Sequence, residues 1–312
     1  MATVLITGGT GMIGTALSKV LVQKGYRVII LTRGKRKNTA EAKVLYAAWD
    51  VNNGVIDTEA VAKADYIVHL AGANVAEKRW TAARKKEIVD SRVKSGTLIF
   101  KTLQQVPNNI KAVVSTSAIG WYGPDRKRAR GTAFMEADPA NDDFLGSTCK
   151  MWEEAIEPVT DLQKRLVIFR TGIVLSREGG AFAEFLKPLK FGAATVMGKG
   201  KQMVSWIHID DLVRLYIAAI EDEGWQGRYN AVAPQPVSNK QLISAIAKHS
   251  GRRHFNFHVP EFVLKTVLGE MSIEVLKSAT VSSSKVELTG FQYAYPDVDS
   301  AVKNLLSREQ EA

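Results

Sequence analysis

The residues best suited to chemistry come first in the chain. Val4-Leu-Ile-Thr-Gly-Gly-Thr-Gly-Met-Ile-Gly14 sets three glycines at a spacing of three, directly after a short apolar run. Gly8 permits a tight turn off a strand. Gly11, having no side chain, lets a pyrophosphate reach the backbone, and Gly14 lets helix and strand pack closely. Thr10, Met12 and Ile13 complete the turn and the first helical residues, whose free N–H groups and positive dipole end suit phosphate. A glycine turn alone could be structural. Strand before and helix after make dinucleotide binding the reading.

A second group of residues bears on which dinucleotide. The next apolar run, residues 27–32, ends Thr32-Arg33-Gly34-Lys35-Arg36-Lys37. An NAD site usually carries an acid here, for the ribose 2′-hydroxyl. Arg33 can instead fork onto a 2′-phosphate and stack on adenine, so the sequence predicts NADP over NAD. Asp50 follows a run at 44–49 and could either reach the adenine amine or cap the next turn. Leu70, Ala71 and Gly72 end a fourth run that starts at Tyr66, and such small residues leave room for a ligand. Ser117 is placed just beyond a fifth strand at 111–115, where catalytic hydroxyls belong.

The elements that must hold these residues alternate. Apolar strands and amphipathic helices succeed each other through the first ~120 residues, which predicts an α/β fold with a doubly wound parallel Rossmann sheet and a ligand at its switch point. Helices are expected at 80–103 and 144–156, the second capped by Asp142 or Asp143 and stopped by Pro158. Lys150 sits mid-helix, where the pattern alone suggests a surface lysine. Residues 166–175 read as a sixth strand, 182–191 and 212–220 as helices, 228–232 as a strand, and 239–250 as a helix capped by Ser238. His208 reads as a packed histidine, because no second metal ligand stands at sensible spacing. We divide the chain into a nucleotide-binding domain at 1–175, with a returning segment at about 205–235, and a smaller interleaved substrate lobe at 176–204 and 236–312.

Composition narrows the class. The 312 residues carry 42 Lys and Arg against 32 Asp and Glu, a net charge of +10. The basic clusters at 33–37, 126–130 and 252–253 lie far apart and match no nucleic-acid motif, so solvated surface with some attraction for an anionic cofactor explains them. The one cysteine, Cys149, rules out a disulfide framework and a cysteine zinc site. No signal-like leader or bilayer-length apolar run is evident, so a cytoplasmic protein with no membrane partner is expected.

The motifs together resemble the extended short-chain dehydrogenase/reductases. They are Thr7-Gly-Gly-Thr-Gly-Met-Ile-Gly14, His69-Leu-Ala-Gly72, Ser115-Thr-Ser-Ala118 with Tyr122-Gly123, Arg170-Thr-Gly172 and Trp206-Ile-His-Ile-Asp-Asp211. The tail from Val259 to Leu306, with Lys265-Thr-Val-Leu-Gly-Glu-Met271 and Ser284-Lys-Val-Glu-Leu288, resembles the narrower "epimerase family" group of atypical members. That resemblance implies NADP binding, a nucleotide-sugar-epimerase-like fold and a small-molecule substrate. It also implies catalysis by a hydroxyl residue, a tyrosine and a lysine, the tyrosine one helical turn before the lysine.

Carried over, Ser117 is the hydroxyl and Lys150 the lysine, which holds the nicotinamide ribose and lowers the tyrosine pKa. The tyrosine should then be residue 146, which is Gly146. Two explanations compete. Tyr122 supplies the phenol from the adjacent loop, or the chain is an NADP-binding sensor without the usual redox chemistry. Thr171, Gly172 and Ile173 would lie beside the nicotinamide. Residues 92–103 and 144–156 pair subunits in many such proteins, so the resemblance also implies a homodimer, against which the cation-rich face of the first helix weighs.

Overall fold

The computed structural model describes residues 1–34, 38–39, 42–125, 132–251 and 253–307. The basic cluster at 126–130, Arg252 and the lysine- and arginine-rich end of the cluster at 33–37 lie outside the described residues.

The first half runs β1 (Thr3–Thr7), α1 (Met12–Gln23), β2 (Arg27–Thr32), β3 (Val44–Asp50), β4 (Val55–Ile56), α2 (Thr58–Ala62), β5 (Tyr66–His69), α3 (Ala82–Gln105), β6 (Ala112–Ala118) and α4 (Phe144–Ile156). After β7 (Arg165–Thr171) come β8 (Ile173–Leu175), α5 (Gly180–Leu189), β9 (Ala193–Met197), β10 (Met203–Val204), β11 (Trp206–His208), α6 (Ile209–Glu221) and β12 (Gly227–Ala231). The remainder is β13 (Val237–Ser238), α7 (Asn239–His249), β14 (Phe255–Val259), α8 (Glu261–Leu268), α9 (Ser272–Leu276), α10 (Ser284–Glu287) and α11 (Val298–Ser307).

Among the described residues one eight-stranded sheet has the order β12-β7-β6-β5-β1-β2-β3-β4, parallel except for β4. The order reverses at β1, so a crevice opens over the carboxyl ends of β1 and β5. The central strands are buried on both faces, which is why they read as continuous apolar runs. Alternation along them feeds two cores. Leu5, Ile29, Ile67, Val113 and Ile168 pack with Val61, Ile99 and Leu103 of the α2–α3 side. Val4, Ile6, Val28, Val68 and Val114 face the other way, onto Leu17 and Leu21 of α1 and Leu212 and Tyr216 of α6.

That second core continues without a break to Leu242 and Ile246 of α7 and Val302 and Leu305 of α11. The tail is therefore packed onto the sheet layer instead of hanging from a linker. Asp211 fixes part of it: wholly buried, its carboxylate accepts from the Ala294 and Tyr295 backbone N–H groups and from Arg214. His208 is buried as expected. Its Nδ1 accepts from the Asp210 N–H to cap α6, and its ring stacks on Tyr295 at 3.9 Å.

Several boundaries move. The strand read over 166–175 breaks at Gly172, where a Cβ would fall 2.7 Å from the Ser205 carbonyl oxygen, and β8 leaves the main sheet to pair with β11. The strand read over 111–115 runs on to Ala118, so Ser117 lies inside β6. The long helix starts at Ala82, where the Thr81 hydroxyl accepts from the Arg84 N–H as its cap. The reading of α4 over 144–156 holds at both ends, with Asp143 accepting from the Gly146 N–H at 2.8 Å.

Candidate cofactor and active site

The glycine turn is built for close approach. Gly8 takes φ +69°, and a Cβ there would meet the Leu70 and Ala71 backbone at about 3 Å. Position 14 is stricter still, because a Cβ would fall 2.5 Å from the Gly8 carbonyl oxygen. Gly11 stands as the N-cap of α1, its own N–H on the Gly8 carbonyl at 3.0 Å, and it brings no side chain to cap the first N–H groups of the helix. Thr7 locks the turn to β5: its hydroxyl accepts from the Leu70 and Ala71 N–H groups at 3.1 Å and donates to His69 Nδ1 at 2.8 Å. His69 Nε2 then faces Ser95 Oγ at 3.2 Å, whose own proton goes to the Arg92 carbonyl. Burial, with help from Arg92, pushes His69 down to about 3, so this ring is neutral.

At the far end Arg33 is exposed on the rim of a cleft of about 440 Å³ that also takes in Gly34, Tyr46 and Asp50. Asp50 does what the turn reading foresaw. Its carboxylate accepts from the Asn52 and Asn53 N–H groups and the Asn53 amide, which holds its pKa below the usual carboxylate value. No acid stands at the end of β2 to meet a 2′-hydroxyl.

The strand-end residues divide by role. Leu70 and Ala71 are half-buried and Gly72 is exposed at the carboxyl end of β5. Thr171 is buried with its hydroxyl near that of Thr116 at 3.3 Å, and Gly172 is held by packing. Ile173 remains 39% exposed.

The structure does not assemble the expected tyrosine and lysine. Lys150 points to solvent, its side chain 60% exposed and its amine 3.9 Å from Glu154. The buried face of α4 is Cys149, Trp152, Glu153 and Ile156, so a residue one step past Cys149 is turned about 100° outward. Position 146 cannot hold a tyrosine at all, because its Cβ would lie 2.2 Å from the Asn141 carbonyl oxygen. Tyr122 is fully buried elsewhere. Its hydroxyl donates to Asn230 at 2.7 Å and accepts from Arg170 at 3.1 Å, its ring stacks on Phe134, and burial pushes its pKa up to about 12.

The residues that α4 does turn toward the end of β6 are Leu145 and Cys149. A Cβ on Gly120 would meet Leu145 Cβ at 3.2 Å and Cys149 Sγ at 3.6 Å. Cys149 faces Ser117 and the Ala118 backbone with Arg92 nearby, and burial pushes its thiol up to about 11. Ser117 Oγ is buried and makes no hydrogen bond of ordinary geometry, a departure from the rule that buried hydroxyls find partners. The sequence did hold the signal for Cys149. Counting back from Trp152 and Ile156 by helical steps puts Cys149 and Leu145 inside and Lys150 outside.

The flank of this cleft is fastened by charge. Arg84, 5% exposed, joins Glu77, Glu87 and the Asn74 carbonyl, which fixes the loop after β5. Lys85 pairs with Glu270, and Lys277 donates to the Tyr122 carbonyl and pairs with Glu274 at 2.6 Å. Residues 269–277 are thereby tied to the walls of the cleft.

A parallel doubly wound sheet with a glycine turn at its crevice is the Rossmann architecture of dinucleotide-binding proteins. The comparisons agree. A model described as the NAD dependent epimerase/dehydratase family matches residues 4–231, and a domain of unknown function, DUF1731, matches residues 259–305. The chain belongs to the NAD-dependent epimerase/dehydratase family. Epimerase family protein SSP1921 of Staphylococcus saprophyticus is 34% identical over 302 residues, covering 97% of this chain and 98% of that protein. Epimerase family protein YfhF of Bacillus subtilis is 32% identical over 304 residues, covering 97% and 98%. The crystal structure of human epimerase family protein SDR39U1 (isoform2) with NADPH superposes with a TM-score of 0.86 at 30% identity, covering 98% of this chain and 99% of that one. UDP-N-acetylglucosamine 4-epimerase from Bacillus cereus shares the fold, with a TM-score of 0.77 at 18% identity. Among the described residues no helix is long and apolar enough to cross a membrane.

Proposed function

We propose that the chain binds NADP in preference to NAD and works as an oxidoreductase or epimerase-like enzyme on a small carbonyl or sugar-like molecule. One observation carries the cofactor reading: Arg33 stands on a cleft where β2 ends without an acid, at the same sheet edge as the uncapped turn Gly8–Gly14. The residues fit the group. Thr10, Met12, Ile13 and Gly14 offer backbone N–H groups to a pyrophosphate, while Gly11, whose own N–H goes to the Gly8 carbonyl at 3.0 Å, leaves the approach clear of a side chain. Arg33 offers a planar fork to a 2′-phosphate. Leu70, Ala71 and Gly72 wall the middle of the crevice, with Thr171, Gly172 and Ile173 across from them. The relative SDR39U1 was crystallised with NADPH.

A bound nicotinamide dinucleotide supplies the hydride donor or acceptor. The chain's own part is to hold the substrate oxygen. Ser117 Oγ, buried beside the Cys149 thiol and with no hydrogen bond of ordinary geometry, donates a hydrogen bond to a substrate carbonyl or accepts one from a hydroxyl. Cys149, kept a neutral thiol by burial, is the protonic group beside it. Neither Tyr122 nor Lys150 acts here.

The absence of the tyrosine–lysine pair among the cleft-facing residues of α4 favours a second reading, a cofactor-binding sensor. The two separate on one assay. Carbonyl and sugar libraries are incubated with NADPH and followed at the nicotinamide absorbance. Net consumption identifies a reductase, and product without consumption an epimerase. Tight NADPH binding with no turnover across the libraries supports the sensor.

A further inference from the structure

We propose that Arg92, reaching in from α3, supplies the cation at the hydride-transfer end of the cleft and donates to the hydroxyls of the nicotinamide ribose. The inference rests on the NADP reading above and goes beyond it in naming a residue that neither motif nor spacing singles out.

Three observations converge. The first is placement. A Cβ on Gly72 would fall 3.2–3.4 Å from the Arg92 guanidinium carbon and both its terminal nitrogens, so the group lies directly against the exposed backbone after β5. Gly72 directly follows the Leu70–Ala71 backbone that lies against Gly8, and the guanidinium also acts on Cys149, which faces Ser117. Arg92 therefore stands between the phosphate-binding turn and the substrate hydroxyl. A dinucleotide running from one to the other carries its second ribose there.

The second is charge. Arg92 forms no ion pair with a carboxylate among the described residues; its neighbours are the Cys149 thiol, Arg84 and the Trp152 ring, 4.7 Å away. Burial lowers its pKa to about 10, so the cation is held without an anion to offset its lost hydration.

The third is unused donors. Nη1 donates to the Ala73 carbonyl at 3.1 Å and the Ile88 carbonyl at 2.9 Å, which fixes the plane of the group. Nη2 and Nε donate to no described residue, which leaves three N–H groups of a rigid fork unclaimed. Arg92 is only half-buried, so these donors are open to a ligand in the cleft, and a vicinal diol presents two oxygens side by side.

The arrangement also accounts for Lys150. With the charge delivered from α3, the inward position on α4 is taken by Cys149, which packs against Ser117 without competing for the fork, and the lysine beside it is free to face water.

The test compares two probes on the full-length chain by titration. NADPH carries the nicotinamide ribose; adenosine 2′,5′-bisphosphate carries the adenine end alone. Arg92→Gln should weaken NADPH at least ten-fold and leave the bisphosphate within two-fold. Arg92→Lys, which keeps charge but loses the fork, should fall between and serves as the test if the glutamine variant does not fold. Bisphosphate binding reports the fold of each variant. Equal weakening of both probes, or of neither, overturns the assignment. If the wild-type chain binds neither probe, or prefers NADH, the NADP reading itself fails, and this inference with it.

Discussion

At the scale of single residues, burial decides which side chains can take part. Ser117 and Lys150 both match family positions, yet the first is 2% exposed at the sheet edge and the second is a solvated lysine. Lys150→Met should therefore leave NADPH affinity and melting temperature unchanged; a loss of binding would return the lysine to the site. Tyr122→Phe removes a hydroxyl that joins Arg170 to Asn230. Leaving those groups short of a partner should cost about 1–3 kcal/mol of stability in denaturant titrations, with NADPH affinity intact. A Tyr122→Phe protein that folds normally but loses turnover would contradict this.

His69 makes a pH prediction. Its pKa is about 3 in the folded chain, against an ordinary value near 6.5 when unfolded. Between those values the unfolded chain binds the extra proton, so stability rises with pH across this window and is lost as pH falls from about 6.5 toward 3. His69→Gln removes the titration along with the bonds to Thr7 and Ser95. The stability gap between wild type and variant should be largest at neutral pH and shrink by about 2 kcal/mol at pH 5. A gap that stays constant would mean the ring is not held neutral.

At the scale of elements, α4 is the instructive case. Its ends were legible because the Asp143 cap and Pro158 are local signals. Its inward face was legible in principle from Cys149, Trp152 and Ile156, but the motif spacing drew attention to Lys150 instead. The reason position 146 must be glycine was not legible, since it depends on the path of the loop at Asn141. Gly146→Ala should destabilise the chain by about 1–3 kcal/mol through overpacking against backbone, read as a lowered denaturation midpoint. An unchanged midpoint would show that the loop yields. The strand break at Gly172 was hidden for a similar reason: the carbonyl that forbids a Cβ belongs to Ser205. The β1 turn, by contrast, was readable whole, because strand, glycines and helix are contiguous.

At the scale of the molecule, two of the polar systems differ in kind. One is structural. Arg170, 1% exposed, forks onto Glu153 at 2.8 and 3.0 Å, Arg228 joins the same carboxylate, and Glu136 accepts from the Asn230 N–H. This network ties β7, α4, β12 and the loop after β6 together on the side away from the glycine turn. Removing Arg170 as Met leaves Glu153 without its bidentate partner and should cost about 3–5 kcal/mol, with the folded fraction still binding NADPH. The sequence showed Arg170 only as part of a motif, because its partners come from distant segments. The other system, Arg92 with Cys149 and Ser117, has donors left over, and it borders the crevice.

The proposed NADP site at this edge of the sheet is marked by Arg33. It is tested most directly by titrating the wild-type chain and Arg33→Gln with NADPH and NADH. NADPH should bind the wild type at least ten-fold more tightly than NADH, about 1.4 kcal/mol or more, with that preference collapsing in the variant while NADH affinity holds. NADH bound as tightly as NADPH by the wild-type chain would contradict it.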